Sequence, residues 1–208
     1  MSLTEQELAG WLEATVHLDD PEGAAHKLVA YAALLVQHNK RLNLVGRLSQ
    51  GEVLRDLIVD ALLPAVVRRP AGPLMDVGSG AGLPGIPLAI AFPDVPMHLI
   101  EPRKKRVTFM STALRRLGLE HVTLHEVRLE AFTGLRRGEA GTLAAKAFQT
   151  PAQWLETAQG WVREGGVIYL YASGDSWGAQ ARPPEGLEEL GRQAHPTRDD
   201  RSGVVFQA

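Results

Sequence analysis

The stretch from Leu74 to Gly85 reads LMDVGSGAGLPG, and its pattern decides the fold of this chain. A short apolar run contains Asp76 and ends at Val77, and glycines two residues apart follow it. An apolar helical pattern then begins at Ile86. A strand, a bare glycine turn and a helix follow one another in this way where a ligand lies directly against the backbone. The segment therefore predicts a strand, a ligand-binding turn and a helix.

An acidic residue follows the next apolar run at a spacing that suits a ribose. The run from Met97 to Ile100 reads as a second strand, and Glu101 comes directly after it, 19 residues beyond Gly82. A carboxylate at this point can accept hydrogen bonds from both hydroxyls of a ribose. The two segments together predict a site for a nucleoside cofactor.

Asp76 and Pro84 decide between the nucleoside cofactors. Gly80, Gly82 and Gly85 satisfy the pattern G-x-G-x-x-G, which taken alone also fits a dinucleotide site. A negative charge at Asp76 would repel the diphosphate of NAD, but it would attract the ammonium and sulfonium groups of S-adenosylmethionine. Pro84 also removes a backbone N–H that a phosphate would need. The residues favour S-adenosylmethionine over NAD, and a tight turn that binds no ligand is the remaining alternative.

The composition indicates a single soluble enzyme. The chain has 208 residues, no cysteine, a net charge of −2 and no apolar stretch near the roughly 20 residues of a membrane span. Without a basic and apolar leader at the N-terminus, we expect a cytoplasmic protein with no membrane partner. His121 and His125 lack a third ligand nearby, so we expect no metal. Nothing in the sequence requires more than a monomer.

Periodicity divides the chain into two regions. Residues 1–70 carry apolar positions at helical spacing and predict an N-terminal helical addition, whereas residues 71–208 predict the cofactor-binding domain. Strands alternate with helices over residues 74–171, which predicts an α/β fold whose mostly parallel sheet has helices on both faces. Residues 175–203 show no clear pattern before a last strand at residues 204–206.

The residues from Gly78 to Leu88 read GSGAGLPGIPL, and this stretch resembles the signature of the RsmG (GidB) family. Other similar segments follow the family's order: HNKRLNL at residues 38–44, VRLE at 127–130 and AKAF at 145–148. Members of that family are bacterial enzymes that methylate N7 of a guanine in 16S ribosomal RNA. The resemblance implies a Rossmann-like class I S-adenosylmethionine-dependent methyltransferase fold, with S-adenosylhomocysteine as the product. It also implies a partner, ribosomal RNA or the small ribosomal subunit.

The motif and the resemblance together assign candidate site residues. The predicted cofactor-binding residues are Asp76, Gly78, Gly80, Gly82, Leu83, Glu101, Leu129, Glu130 and Lys146. Methyl transfer to N7 needs no general base, because N7 carries a lone pair and no proton; the resemblance leaves Lys146 and Asp60 as catalytic candidates. Arginine forks match phosphate oxygens, and the predicted RNA contacts are Arg103, Lys105, Arg106, Arg128 and Arg201.

The chain resembles a divergent member of this family, and two questions stay open. It has Asp56 where the family usually has histidine, and Lys146 follows alanine where the family usually has Ser-Arg. The same fold could therefore act on another RNA or a small molecule, or bind cofactor or RNA without catalysis. Asn39 and Asn43 could cap and link helices or line the substrate cleft.

Overall fold

The computed structural model describes residues 3–178 and 180–208, and its centre is a seven-stranded sheet. The strands are β1 (Leu74–Val77), β2 (Met97–Ile100), β3 (Val122–His125), β4 (Ala140–Ala145), β5 (Val162–Ser173), β6 (Glu188–His195) and β7 (Arg198–Gln207). Their order in the sheet is β3-β2-β1-β4-β5-β7-β6. Strands β1 to β5 are parallel, and β7 runs antiparallel between β5 and β6.

The order of the strands reverses at β1, which pairs with β2 on one side and with β4 on the other. Leu74 is paired with Met97 and with Thr142, so the carboxyl ends of the three strands lie at one edge. In open α/β sheets, the crevice outside this edge, at the point of reversal, is where ligands bind. The glycine turn after β1 lies at this point.

Helices cover both faces of the sheet. They are α1 (Glu5–Trp11), α2 (Pro21–Leu42), α3 (Gln50–Val53), α4 (Val59–Val67), α5 (Gly85–Ala91), α6 (Lys104–Leu117) and α7 (Pro151–Gln159). Single π-helical turns follow α1 and join α3 to α4. Alternate strand residues face opposite ways: Leu74 packs with the helices of residues 5–67, whereas Met75 packs with Trp154 of α7 and its neighbours.

Helix α2 connects the N-terminal helices to the glycine turn. It begins at Pro21, because the Asp20 side chain accepts a hydrogen bond from the Gly23 N–H at 2.9 Å and Pro21 occupies the first helical position. The buried Tyr31 hydroxyl donates a 2.7 Å hydrogen bond to the carbonyl of Ala81, within the glycine turn. The N-terminal helices therefore hold the turn from the side of the sheet where α5 begins.

The predicted fold class is confirmed, and the main element that sequence reasoning missed is β6. The inward-facing positions of this strand carry Glu189, Gly191, Gln193 and His195, so its pattern lacks the apolar alternation by which a strand is identified. The division into residues 1–70 and 71–208 stays a prediction. In the part of the chain that the structure describes, no helix is long and apolar enough to cross a bilayer.

Candidate active site at the carboxyl edge of the sheet

The glycine turn folds back against β2. The N–H groups of Gly78 and Ser79 donate to the Ile100 carbonyl at 2.9 and 3.1 Å, which fixes the turn at the sheet edge. Gly78 and Gly80 have φ angles of +72° and +60°, a region that residues with a Cβ seldom occupy. A Cβ on Gly80 would make only ordinary contacts, at 3.6 Å from an Arg106 nitrogen and 3.8 Å from the Gly78 carbonyl oxygen, so the turn has room for a small group there.

Gly82 and Gly85 serve packing within the fold. A Cβ on Gly82 would lie 2.4 Å from Ile86, and one on Gly85 would lie 2.3 Å from Leu99. Both positions therefore let α5 begin close to β1 and β2. The predicted cofactor residue Leu83 is half-buried, and its N–H donates to the Ser79 carbonyl at 2.9 Å.

Asp76 lies beneath the turn and is fully buried. One carboxylate oxygen accepts a 2.9 Å hydrogen bond from the Gly85 N–H, and the other has no hydrogen-bond partner among the described residues. Burial raises the pKa of Asp76 to about 7. Its structural contact is therefore with the start of α5.

Glu101 lies at the end of β2, with only 2% of its surface exposed. Its carboxylate accepts hydrogen bonds from the N–H groups of Gly80 and Arg103, both at 2.9 Å, and Arg106 lies 3.4 Å away. A carboxylate has about four lone-pair sites. Glu101 therefore keeps one acceptor site, and it gains a second if the Arg106 guanidinium moves aside.

A cavity of about 190 Å³, here called the glycine-side cavity, opens next to the turn. It lies between the segments that follow β1, β2, β3 and β4, and it brings the predicted Gly78 together with the predicted residues 128–130. Its lining is Val77, Gly78, Ile100, Pro102, Val127, Arg128, Leu129, Glu130 and Phe148. The walls are mostly apolar, with Glu130 and Arg128 exposed at the rim. A flat, largely apolar ring edged by polar atoms fits such a lining.

A second cavity of about 250 Å³, here called the aromatic cavity, lies beyond the Phe148 ring. Its walls include Phe148, Trp154, Tyr171, Lys146 and Arg201. Phe148 lines both cavities, and its ring packs so closely on Gly78 that a Cβ there would lie 2.8 Å from it. One aromatic ring therefore separates the two spaces.

The segment that carries Phe148 is locally strained. The preceding residue, Ala147, has a φ of +55°, which is uncommon for a residue with a Cβ. Such backbone is kept where the surrounding structure forces it, often at functional sites. Phe148 is 40% exposed and meets Trp154 edge to face at 6.2 Å.

Asp60, Lys146 and Arg201 form a charged cluster under the aromatic cavity. The Lys146 ammonium lies 2.5 Å and an Arg201 guanidinium nitrogen 3.5 Å from the same Asp60 oxygen. The Asp60 and Lys146 side chains are only 2% and 13% exposed. Burial lowers the pKa of Lys146 below its ordinary value, although Asp60 acts in the opposite direction. Helix α4, β4 and β7 are thereby joined at one point.

The predicted RNA-contacting residues have two kinds of surroundings. Arg103, Lys105 and Arg128 are exposed, the first two at the start of α6. The guanidinium groups of Arg106 and Arg201 instead lie beside Glu101 and Asp60. Three of the five are thus available to an external phosphate without breaking an ion pair.

Sequence reasoning left out most of the aromatic cavity. Trp154 and Tyr171 follow apolar patterns that indicate core residues, and they do pack in the core while exposing an edge to the cavity. Of its lining, the predicted site residues include only Lys146 and Arg201; Phe148, a large aromatic residue three positions after the end of β4, was a further signal.

Comparison with known proteins assigns a family. The profile of the GidB family, described as rRNA small subunit methyltransferase G, matches residues 24–181. Curated proteins named ribosomal RNA small subunit methyltransferase G are similar. The one from Laribacter hongkongensis is 33% identical over 168 residues, which is 80% of this chain and 78% of that protein. The one from Wolinella succinogenes is 41% identical over 119 residues, 57% of this chain and 61% of that protein.

Solved structures show the same fold at low identity. A SAM-dependent methyltransferase from Aquifex aeolicus superposes with a TM-score of 0.52 at 16% identity, covering 86% of this chain and 97% of that one. Fibrillarin from Aeropyrum pernix, in complex with S-adenosyl-L-methionine, gives 0.51 at 16% identity over 66% and 67%. The fold is therefore that of a class I methyltransferase, and the chain belongs to the rRNA small subunit methyltransferase G (GidB) family.

Proposed function

We propose that this protein transfers a methyl group from S-adenosylmethionine to N7 of a guanine in small-subunit ribosomal RNA. Family membership and the methyltransferase fold support the reaction class and the cofactor. One observation supports the placement of the reaction: the glycine-side and aromatic cavities meet at Phe148, next to Gly78.

The glycine-side cavity suits the nucleoside part of the cofactor. Leu129 and the Phe148 ring offer apolar surface for the adenine, and Glu130 offers a carboxylate at the rim. Glu101 would accept the ribose hydroxyls once Arg106 moves. Gly80 leaves the backbone bare for the amino-acid part and Gly78 lies against the Phe148 ring, whereas Asp76, Gly82 and Leu83 support the turn from below.

When bound, S-adenosylmethionine supplies an electrophilic methyl group on a sulfonium. The protein has to hold the acceptor base in line at roughly 3 Å and keep water away, which lowers the barrier through orientation. The aromatic cavity has Trp154 and Phe148 to enclose a flat base. Lys146 and Arg201 carry donors for the oxygen on the Hoogsteen edge of guanine, beside N7.

Methylation at N7 changes the charge of the base but takes no proton from it. Methylation at N7 leaves a positive charge on the base, and no residue needs to take up a proton. Asp60 lies beneath Lys146 and partly balances the two cations near the base. We therefore assign positioning roles to Lys146 and Asp60.

Labelled S-adenosylmethionine, small ribosomal subunits and their RNA from cells that lack this enzyme test the proposal. The wild type should label one guanine, at N7. Gly80→Asp should abolish labelling, because aspartate tolerates positive φ but places a second carboxylate on the glycine turn, near Glu101. Gly138→Asp is the matched control: Gly138 has a φ of +77° and no atom within 4 Å of an added Cβ.

The outcomes separate the alternatives. Label at another position, or on another RNA, would reject the proposed target while leaving the reaction class intact. A wild type that binds S-adenosylhomocysteine but labels no RNA or subunit would reject the RNA reaction, and a non-catalytic module or a small-molecule methyltransferase would replace it. Equal loss of labelling in both glycine variants would mean that Gly80→Asp acts by disturbing the fold and not the cofactor site.

A further inference from the structure

We propose that the C-terminal end of α2 and the loop after it form an RNA phosphate-binding surface, here called the α2 surface, with Lys40, Arg41 and Arg47 as its cations. This inference rests on the proposed RNA substrate. It gives the N-terminal helices a direct role in binding RNA, in addition to their role in holding the glycine turn.

The first support is the position of the surface. Helices α2 and α6 run antiparallel: Ala24 near the start of α2 shares a cavity with Gly118 after the end of α6, whereas the His38 ring meets Phe109 at 5.4 Å. The last turn of α2 therefore lies beside the first turn of α6, where Lys105 stands one turn before Phe109.

The same geometry places the surface near the site. Tyr31 contacts the glycine turn through Ala81, and Asn39 lies eight residues further along α2. At a rise of 1.5 Å per residue, the surface begins about 12 Å beyond that contact. A polynucleotide whose target base enters the aromatic cavity has neighbouring phosphates within such a distance.

The second support is the charge. No acidic residue occurs in residues 23–51 or in residues 102–119. Lys40, Arg41 and Arg47 are exposed, and no ion pair involves them within residues 3–178 and 180–208. On α6, Lys104 and Lys105 occupy a helix N-terminus, where the macrodipole disfavours cations. The two helix ends together present a positively charged surface that suits a polyanion.

The third support is a preformed polar cavity of about 540 Å³, lined by Asn39, Lys40, Asn43 and Arg47 among others. The Asn39 amide donates to the Gly46 carbonyl at 2.9 Å, and its oxygen accepts from the Val45 N–H at 3.0 Å. Asn39 thus links the helix to the loop. Asn43 ends α2 at a φ of +47° and leaves its amide exposed beside the cations. Amide and cationic donors therefore line the same cavity, and such donors form the usual contacts to phosphate groups.

The test compares two triple variants with the same change in charge. Lys40→Gln/Arg41→Gln/Arg47→Gln removes the α2 surface. Lys27→Gln/Arg115→Gln/Arg116→Gln removes three exposed cations from the opposite end of the same two helices. The full chain is used with small-subunit ribosomal RNA between about 0.05 and 0.2 M salt, and S-adenosylhomocysteine affinity is measured separately.

In the α2-surface variant, the slope of log K against log salt should flatten by about two to three, roughly one per lost phosphate contact, and affinity at low salt should fall more than tenfold. The control should change the slope by less than about one, and both variants should keep wild-type affinity for S-adenosylhomocysteine. Equal slopes in the two variants would overturn the inference.

The single variant Arg47→Gln separates loss of RNA contact from a folding defect, because Arg47 lies in the loop outside both helices. It should flatten the slope by about one, and an unchanged slope would also overturn the inference. A wild type that binds and methylates the RNA while these variants match it would reject the α2 surface and leave the proposed function standing. A wild type that does not bind or methylate the RNA would reject the function itself.

Discussion

Replacing Asp60 with asparagine should destabilise the fold more than replacing its partner Lys146 with methionine. The Asp60→Asn change removes the carboxylate that contacts the Lys146 ammonium, which is 13% exposed and stays next to the Arg201 guanidinium. The Lys146→Met change leaves Asp60 with one cation, Arg201, at 3.5 Å. The two variants differ in cost because the Asp60 carboxylate contacts two cations.

The magnitudes follow from burial. Breaking a buried ion pair on one side costs about 3–5 kcal/mol, and partial exposure of Lys146 places Asp60→Asn near the lower limit, at about 3 kcal/mol. For Lys146→Met the remaining Arg201 contact reduces the cost to roughly half of that, about 1.5 kcal/mol. The double variant removes the buried pair and leaves Arg201 beside Asp200, 3.7 Å away, so it should cost about 1–2 kcal/mol, well below the sum of the single changes.

Urea unfolding of the four proteins at neutral pH, without cofactor, measures these differences through the midpoint at constant m-value. A second reading is the dependence on pH. Burial already lowers the pKa of Lys146, and removal of Asp60 lowers it further. A lysine whose pKa is lower in the folded state destabilises the fold while it is charged and does so less as it becomes neutral. The loss of unfolding free energy in Asp60→Asn should therefore shrink as the pH rises towards the ordinary pKa of lysine.

Two results would refute this reasoning. If Asp60→Asn costs less than about 1 kcal/mol, the pair is solvated in solution and does not join α4 to the sheet. If the double variant costs as much as the sum of the single changes, the two side chains are not coupled.

Three further perturbations test other contacts. Tyr31→Phe removes the hydroxyl that donates to Ala81, so the free energy of unfolding should fall by about 1–2 kcal/mol and S-adenosylhomocysteine should bind severalfold more weakly in calorimetry. Asp76→Asn should become more stable relative to the wild type as the pH rises, measured by Tm. The pKa of Asp76 is about 7 in the folded state and 3.8 ordinarily, so ionisation across this window destabilises only the wild type. Burial lowers the pKa of both His98 and His125, whose ring nitrogens lie 2.9 Å apart, so His125→Gln should reduce the loss of Tm as the pH falls below about 6.5.

Each perturbation has a result that contradicts it. Tyr169→Phe removes a buried hydroxyl that donates to the Arg68 carbonyl and not to the glycine turn, so it is the control for Tyr31. Equal loss of cofactor affinity in both variants would exclude a specific effect on the turn. A Tm difference between Asp76→Asn and the wild type that stays constant with pH would show that Asp76 titrates at its ordinary pKa. An unchanged acid-side slope in His125→Gln would mean that the histidine pair does not titrate in this range.

Local patterns were sufficient to predict the strand-turn-helix unit and the cofactor. The spacing of Gly78 and Gly80 and the position of Glu101 depend on a few consecutive residues, and β1 and β2 lie next to each other because a short crossover usually pairs neighbouring strands. The start of α2 at Pro21 and the end of α6 at Gly118 were predictable for the same reason, since helix ends are set by nearby side chains and backbone angles.

Tertiary packing decided what each candidate residue contacts. Asp76 lies two residues before the glycine turn, whose direction the local sequence does not encode, and it contacts the start of α5 beneath the turn. Phe148 reaches Gly78 because β4 lies beside β1 in the sheet.

By itself, the sequence determined the α/β class, the glycine turn, the cofactor and the family resemblance, because each depends on residue types at short, fixed spacings. Only the tertiary structure decided that Asp60 meets Lys146 and, 141 positions away in the chain, Arg201. It also decided that the ends of α2 and α6 share one cationic surface. Contacts between distant segments arise from strand order and helix packing, and these depend on the whole core, which no local spacing records.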